Sequence, residues 1–238
     1  MSVLVLVLAA PLQAWGTTSR HALRDTGPHP TKSGVTGLLA SALGLARTDT
    51  HALAELAALT FAVRTDQPGT RIRDFHTTRT RHGKAMPLSE RYYLADAVYT
   101  AALAGDAPLL QRAQHALRNP AHPLFLGRRS CPPARPPLHS LHPETSDPVA
   151  VLQTLPWQAS AWYQRARPGH RMTIHHDAHP ADRAARLHPD QPLDFSPTAR
   201  RRHTSRPVAT IPLPPAPGTP PRDFYDALDD LDDLDGST

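Results

Sequence analysis

Residues 3–46 constrain the fold most: VLVLVLAAPLQAWG leads through a polar, basic loop into PTKSGVTGLLASALGL. Over residues 3–10 valine alternates with leucine, a pattern that suits a buried strand. Further on, Val35, Leu38, Leu39, Ala42, Leu43 and Ala46 recur at three- and four-residue steps, which gathers them on one helical face. A strand therefore feeds a helix that packs back on it. Ser33 is the expected N-cap, and Gly34 and Gly37 clear side chains from the first turn beside Lys32. Unpaired amides and the positive end of the helix dipole suit an anion there, whereas close packing of the helix on the sheet explains the same glycines. A phosphate loop of the Walker type needs glycine directly before the Lys-Ser pair, and Thr31 stands in that place, so no NTPase is expected.

The first ten residues are not read as a secretory signal, because no basic residue precedes the apolar run. The run is also too short to span a bilayer as a helix, so no membrane association is expected. Cys131 is the only cysteine; with no intrachain disulfide to form, a cytoplasmic location is the expectation.

At 238 residues the chain suits one domain with an appendage or two small ones. Its 27 prolines cluster at residues 119–148 and 206–221, which breaks the later half into short extended pieces and loops. Charge is unevenly distributed. Of 26 basic and 21 acidic residues, one arginine and seven aspartates lie in residues 222–238, leaving 25 basic against 14 acidic elsewhere. Only Lys32 and Lys84 are lysines, and arginine's planar fork suits phosphate contacts and base stacking. Arg20, Arg24 and Lys32 flank the first loop, basic residues dominate 71–91, and Arg128 and Arg129 follow Gly127. This distribution reads either as a nucleic-acid footprint or as a solvated basic surface.

Residues 59–64 (LTFAVR) read as a strand, Asp66-Gln67-Pro68-Gly69 as a turn and residues 70–76 as its continuation. A polar basic insertion, TTRTRHGKAMPLSE, precedes the strand-like RYYLADAVYTAAL and predicts a protruding loop or long hairpin. Asp106 caps a second helix through Leu117, with Leu109, Leu110, Ala113 and Leu117 inward, before Asn119-Pro120 stops it. Strand, helix, strand, strand, helix, strand is the ferredoxin-like order, shared by RNA-recognition modules, but the aromatic signature of ordinary RNA-recognition motifs is missing.

Five segments in order, LAAPLQAWG, PTKSGVTGLLASALGL, RDFHT, ERYYLADAVY and FLGRRSCPP, resemble the CasD family of subtype I-E CRISPR Cascade, within the repeat-associated mysterious protein (RAMP) superfamily. The resemblance covers residues 3–133. It departs from the family at Ala10, where a glycine is usual, and is loose beyond Pro133. It implies an α+β, ferredoxin-like or RRM-like RAMP domain over 1–126 with a basic thumb at 77–90. A glycine-rich loop and smaller C-terminal β region would fill 127–213, and a proline-rich, acidic tail 214–238.

The function implied is a non-catalytic CRISPR RNA-binding subunit that holds the 5′ handle, packs against the backbone subunit CasC and the large subunit CasA, and needs no cofactor. Carried onto this sequence, Arg79, Arg81 and Lys84 on the thumb face RNA or a neighbouring subunit. Lys32, Ser33 and Gly34 meet handle phosphates, and Gly127, Arg128, Arg129 and Ser130 form the glycine-rich loop, with Arg128 and Arg129 as phosphate or base contacts; Arg20 and Arg24, from the basic distribution around the first loop, join the RNA-binding set. Gln13 and Trp15 touch a splayed base, or, for Trp15, the side chain instead pins the loop.

The rival reading is a metal-independent endoribonuclease, with His76 as base, Tyr92 or Tyr93 as acid and Lys84 stabilising the pentacoordinate charge. A metal site built from His170, His175, His176, Asp177 and His179 is not expected, since adjacent histidines on a strand point to opposite faces. In the acidic segment Phe224, Leu228, Leu231 and Leu234 recur at helical spacing, which suits either docking on a basic surface or disorder.

Overall fold

The computed structural model describes residues 1–16, 23–196 and 202–216. It is a mixed α/β structure dominated by antiparallel sheets. The elements run β1 (Ser2–Ala9), β2 (Leu12–Gln13), β3 (Leu23–Arg24), α1 (Lys32–Ala42), α2 (Thr50–Ala58), β4 (Thr60–Gln67), β5 (Thr70–His76), β6 (Ser89–Ala95), β7 (Val98–Gly105) and α3 (Ala107–Arg118). After these come β8 (Leu138–Pro143), α4 (Pro148–Thr154), α5 (Ala161–Ala166), β9 (Arg171–Asp177), β10 (Arg186–Asp194) and β11 (Arg202–Pro215).

One seven-stranded sheet has the order β10-β11-β9-β4-β7-β1-β8. Its strand β1 explains the alternation of valine and leucine. Leu4, Leu6 and Leu8 pack with Val35, Leu39, Leu53, Leu56, Leu109 and Leu110 of the three helices on one face. Val3 and Val5 pack with Ala62, Ala102, Val151 and Leu152 on the other. Both faces are covered, so every second-position rule of a half-exposed strand is suspended and β1 reads as an unbroken apolar run. Strands β8 to β11, from the proline-rich half, join this same sheet at its two edges.

Helix α3 forms as its sequence dictates: Asp106 accepts from the Leu109 N–H, and Leu109, Leu110, Ala113 and Leu117 are buried. At α1 the cap is Thr31 rather than Ser33; the Thr31 hydroxyl accepts from the Gly34 N–H at 3.2 Å. Helix α2, with Asp49 as cap, extends the helical layer beyond the elements the sequence reading anticipated.

The stretch RYYLADAVYTAAL is two strands, not one. Asp96 at φ 55° breaks it, sending β6 into a second sheet and β7 into the first. Strands β4 and β7 pair from Thr60↔Ala104 to Gln67↔Val98, and beyond the break β5 and β6 pair from Thr70↔Ala95 to His76↔Ser89. The result is one long, kinked hairpin whose outer half carries β2 and β3 along β6. Residues 77–88 at its tip are exposed and turn back through the bridge Arg79↔Ala85.

Candidate nucleic-acid interface

The start of α1 is filled from within the chain. The Lys32 N–H donates to Asp190 at 2.8 Å, and its ammonium group donates to Asp177 at 3.1 Å. Arg206 joins both carboxylates, through Nε and Nη2 to Asp190 at 2.8 and 2.9 Å and through Nη1 to Asp177. Asp177 also accepts from the Phe61 N–H at 2.8 Å. Lys32 and Arg206 are buried, and burial, only partly offset by Asp177, lowers the Lys32 pKa. Of the groups expected to meet phosphates at Lys32, Ser33 and Gly34, the Lys32 N–H and ammonium are thus taken by carboxylates from β9 and β10, and the Gly34 N–H by Thr31. Gly34 serves the packing alternative, since a Cβ there would lie 2.9 Å from both the Trp15 ring and the Thr31 hydroxyl.

Gln13 and Trp15 are also enclosed. Gln13 donates to the Leu8 and Ala97 carbonyls at 3.0 and 2.7 Å and accepts from the Trp15 indole at 3.0 Å. The Trp15 N–H donates to the Thr26 hydroxyl at 2.8 Å. Both side chains are buried with their polar edges satisfied, which fits residues that pin the first loop.

The glycine-rich loop clamps against this corner. Gly127 adopts φ +86°, and a Cβ on it would fall 1.6 Å from the Ala14 carbonyl oxygen, so only glycine fits. Arg128 donates to the carbonyls of Tyr92 at 3.1 Å and Arg24 at 2.7 Å and lies over the Tyr93 ring at 4.6 Å. It ties the loop to β6 and β3. Arg129 and Ser130 are exposed beside it, as is the Arg24 side chain. Arg20 and residues 222–238 lie outside the described residues.

The β5–β6 hairpin presents a surface the sequence reading only partly anticipated. Its register places Arg71, Arg73 and Phe75 on one face with Leu94, Tyr92 and Glu90. Arg71 sits 4.2 Å over the Tyr92 ring and Arg73 4.7 Å over Phe75. Salt bridges from Arg71 to Asp25 and from Arg73 to Glu90 orient the two guanidinium groups. The alternation Arg-x-Arg-x-Phe in RIRDF was the signal for this cation–aromatic face. At the tip Arg79, Arg81 and Lys84 are exposed and make no ion pair among the described residues.

The same register divides the rival catalytic set. His76 shares its face with Tyr93 and Arg91, whereas Tyr92 points to the other side with Arg73. His76 pairs with Asp74 and sits 3.5 Å from the Tyr93 hydroxyl. His76 and Tyr92 therefore lie on opposite faces of the hairpin, whereas His76 and Tyr93 share one, where Tyr93 is 2% exposed. His175 and His176 likewise diverge: His175 stacks on His29 at 4.2 Å, and His176 bonds to the Asp177 carbonyl. Among the described residues there is no cluster of three metal-ligating side chains and no helix long and apolar enough to cross a membrane.

Comparison with known proteins completes this picture. A family model described as CRISPR-associated protein (Cas_Cas5) matches residues 3–208. The Cascade subunit CasD of Escherichia coli strain K12 is 34% identical over 191 residues, spanning 72% of this chain and 85% of that protein. A solved chain described as "Crystal structure of Cas protein" superposes with a TM-score of 0.69 at 35% identity, covering 92% of this chain and all of that one. A chain of a "CRISPR RNA-guided surveillance complex" superposes with a TM-score of 0.72 at 29% identity, covering 96% and 98% of the two.

Proposed function

Because the chain belongs to the CRISPR-associated protein family (Cas_Cas5), we propose that it is a subunit of a type I-E Cascade complex and holds the 5′ handle of CRISPR RNA without cleaving it. The similarity to CasD of Cascade and to a chain of an RNA-guided surveillance complex supports the assembly, and the β5–β6 hairpin supports the RNA contact. The observation that carries the reading is that hairpin: an exposed strand β5 on a half-buried β6, with stacked Arg71–Tyr92 and Arg73–Phe75, ending in Arg79, Arg81 and Lys84, which make no ion pair among the described residues. Guanidinium groups fixed over aromatic rings offer charge for phosphates and flat surfaces for unstacked bases.

In this reading the order β4-β7-β1-β8 is the four-stranded sheet of a ferredoxin-like RAMP domain, and residues 77–90 are its thumb. Arg24, Arg129 and Ser130, exposed on the flanking loops, extend the RNA path, while Gln13, Trp15, Gly34, Gly127 and Arg128 hold the corner in shape. CasC and CasA are the neighbouring subunits this surface serves. His76 faces away from Tyr92, and Tyr93, which it does approach, is buried; this favours a binding role over the endoribonuclease.

The test is metal-free incubation of the protein with labelled handle-bearing RNA and with intact repeat RNA, scored for binding and for cleavage. Handle-dependent binding with both RNAs intact is expected. A specific cut lost in His76→Ala would replace this reading with the nuclease.

A further inference from the structure

The hairpin tip is not only basic. Phe75, Met86 and Leu88 are 53%, 48% and 59% exposed, beside Arg79, Arg81 and Lys84. Apolar side chains left in water among unpaired cations mark a surface made to be covered.

Strand β11 delivers the chain to the base of that hairpin. Pro215 pairs with Arg171 of β9, and the Ala216 N–H donates to the His170 carbonyl. In the next ladder Thr173 of β9 pairs with Thr65 of β4, two residues before β4 ends at Gln67. The chain thus leaves β11 on the rim from which β4 passes into β5, about 10 Å away across two strand spacings. Residues 217–238 follow, with a reach of about 70 Å if extended, against roughly 23 Å for the length of β5. Their sequence is complementary to the tip in both respects. Seven aspartates alternate with Phe224, Leu228, Leu231 and Leu234, and the only basic residue is Arg222.

We propose that residues 222–238 dock on the β5–β6 hairpin of their own chain when RNA is absent, carboxylates against Arg79, Arg81 and Lys84 and apolar side chains against Phe75, Met86 and Leu88. The segment then acts as an internal competitor that a long, correctly seated RNA displaces and a weak, nonspecific one does not. A tethered competitor is present at an effective concentration of order mM, enough to suppress weak encounters. The competition with RNA rests on the function proposed above; the docking itself does not.

The test uses the full chain with His82→Cys at the tip and Ser237→Cys near the end of the segment, both carrying spin labels. Cys131 is 1% exposed and burial pushes its thiol pKa up, so labelling favours the two introduced sites. A short inter-label distance is expected at about 0.1 M salt. It should be lost near 1 M, where the screening length falls to about 3 Å, and lost when the seven aspartates become asparagine. A distance distribution indifferent to salt and to that substitution overturns the docking. So does a short distance that vanishes on dilution with unlabelled protein, which would make a second copy the occupant.

Handle-bearing RNA should abolish the short distance while a short scrambled RNA leaves it in place, and the asparagine variant should bind either RNA about tenfold more tightly at 0.1 M salt. If handle-bearing RNA binds while the short distance persists, the competition is overturned. If the short distance forms as expected and RNA binds neither protein, the RNA reading fails and the docking stands.

Discussion

Removing the Asp190 carboxylate should expose how much the buried charge cluster contributes to holding the two halves of the chain together. Asp190 is 1% exposed and accepts three bonds, from the Lys32 N–H and from Nε and Nη2 of Arg206. In Asp190→Ala, Arg206 keeps only Asp177 as an anionic partner, and the first N–H of α1 loses its acceptor in a site closed to water. Breaking a buried ion pair from one side costs about 3–5 kcal/mol. For a chain of this length that corresponds to a fall in Tm of roughly 6–20 °C, and to a large share of a total stability of about 5–15 kcal/mol. Urea unfolding followed by circular dichroism measures it, with the midpoint moving and the slope m unchanged. Because the cost comes from the guanidinium left behind, Asp190→Leu combined with Arg206→Met should lose less than Asp190→Ala alone. A loss below about 1 kcal/mol in Asp190→Ala, or a double variant whose losses simply add, would refute the reasoning.

Three further outcomes follow from the geometry. Gly34→Ala should destabilise by about 1–3 kcal/mol, because its Cβ meets the Trp15 ring, while Gly37→Ala, with nothing within 4 Å, should stabilise by about 0.5–1 kcal/mol; thermal melts compare the two. Burial, and then the neighbouring His29 and His188, lower the His175 pKa from 6.5 to about 4. The unfolded chain therefore binds the proton first, so stability is full above pH 6.5 and declines as pH falls toward 4; His175→Gln should flatten the decline in unfolding midpoints measured across that window. Replacing Arg79, Arg81 and Lys84 together by alanine should leave Tm unchanged, weaken RNA binding, and reduce the slope of log K against log salt by about 2, at roughly 0.7 per lost phosphate contact.

The sequence made legible those parts of the fold whose signals are local. The alternation in β1, the apolar stripe of α1 and the Asp106 cap of α3 each lie within a few residues of what they specify. The partners at the start of α1 are not legible locally, because its anions come from Asp177 and Asp190, more than 140 positions away, and no local pattern announces them. The break between β6 and β7 leaves no local mark either, because a single αL residue, Asp96, switches sheets without a glycine or proline. At the candidate interface the exposed tip cations were legible as a basic run, whereas Arg71, Arg73 and Phe75 become a surface only once the β5–β6 register is known. Gln13, Trp15 and Arg128 carried the right chemistry for RNA, yet their donors are spent on backbone carbonyls and on one another.

The measurement that bears most directly on the proposed role is the affinity of the purified protein for handle-bearing RNA against a scrambled RNA of equal length, without metal, alongside a gel that resolves cleavage. Preferential binding of the handle, weakened in the Arg79, Arg81 and Lys84 triple alanine variant and leaving both RNAs intact, is the predicted result. Equal affinity for both RNAs that the triple variant leaves unchanged, or a defined cut, would contradict it.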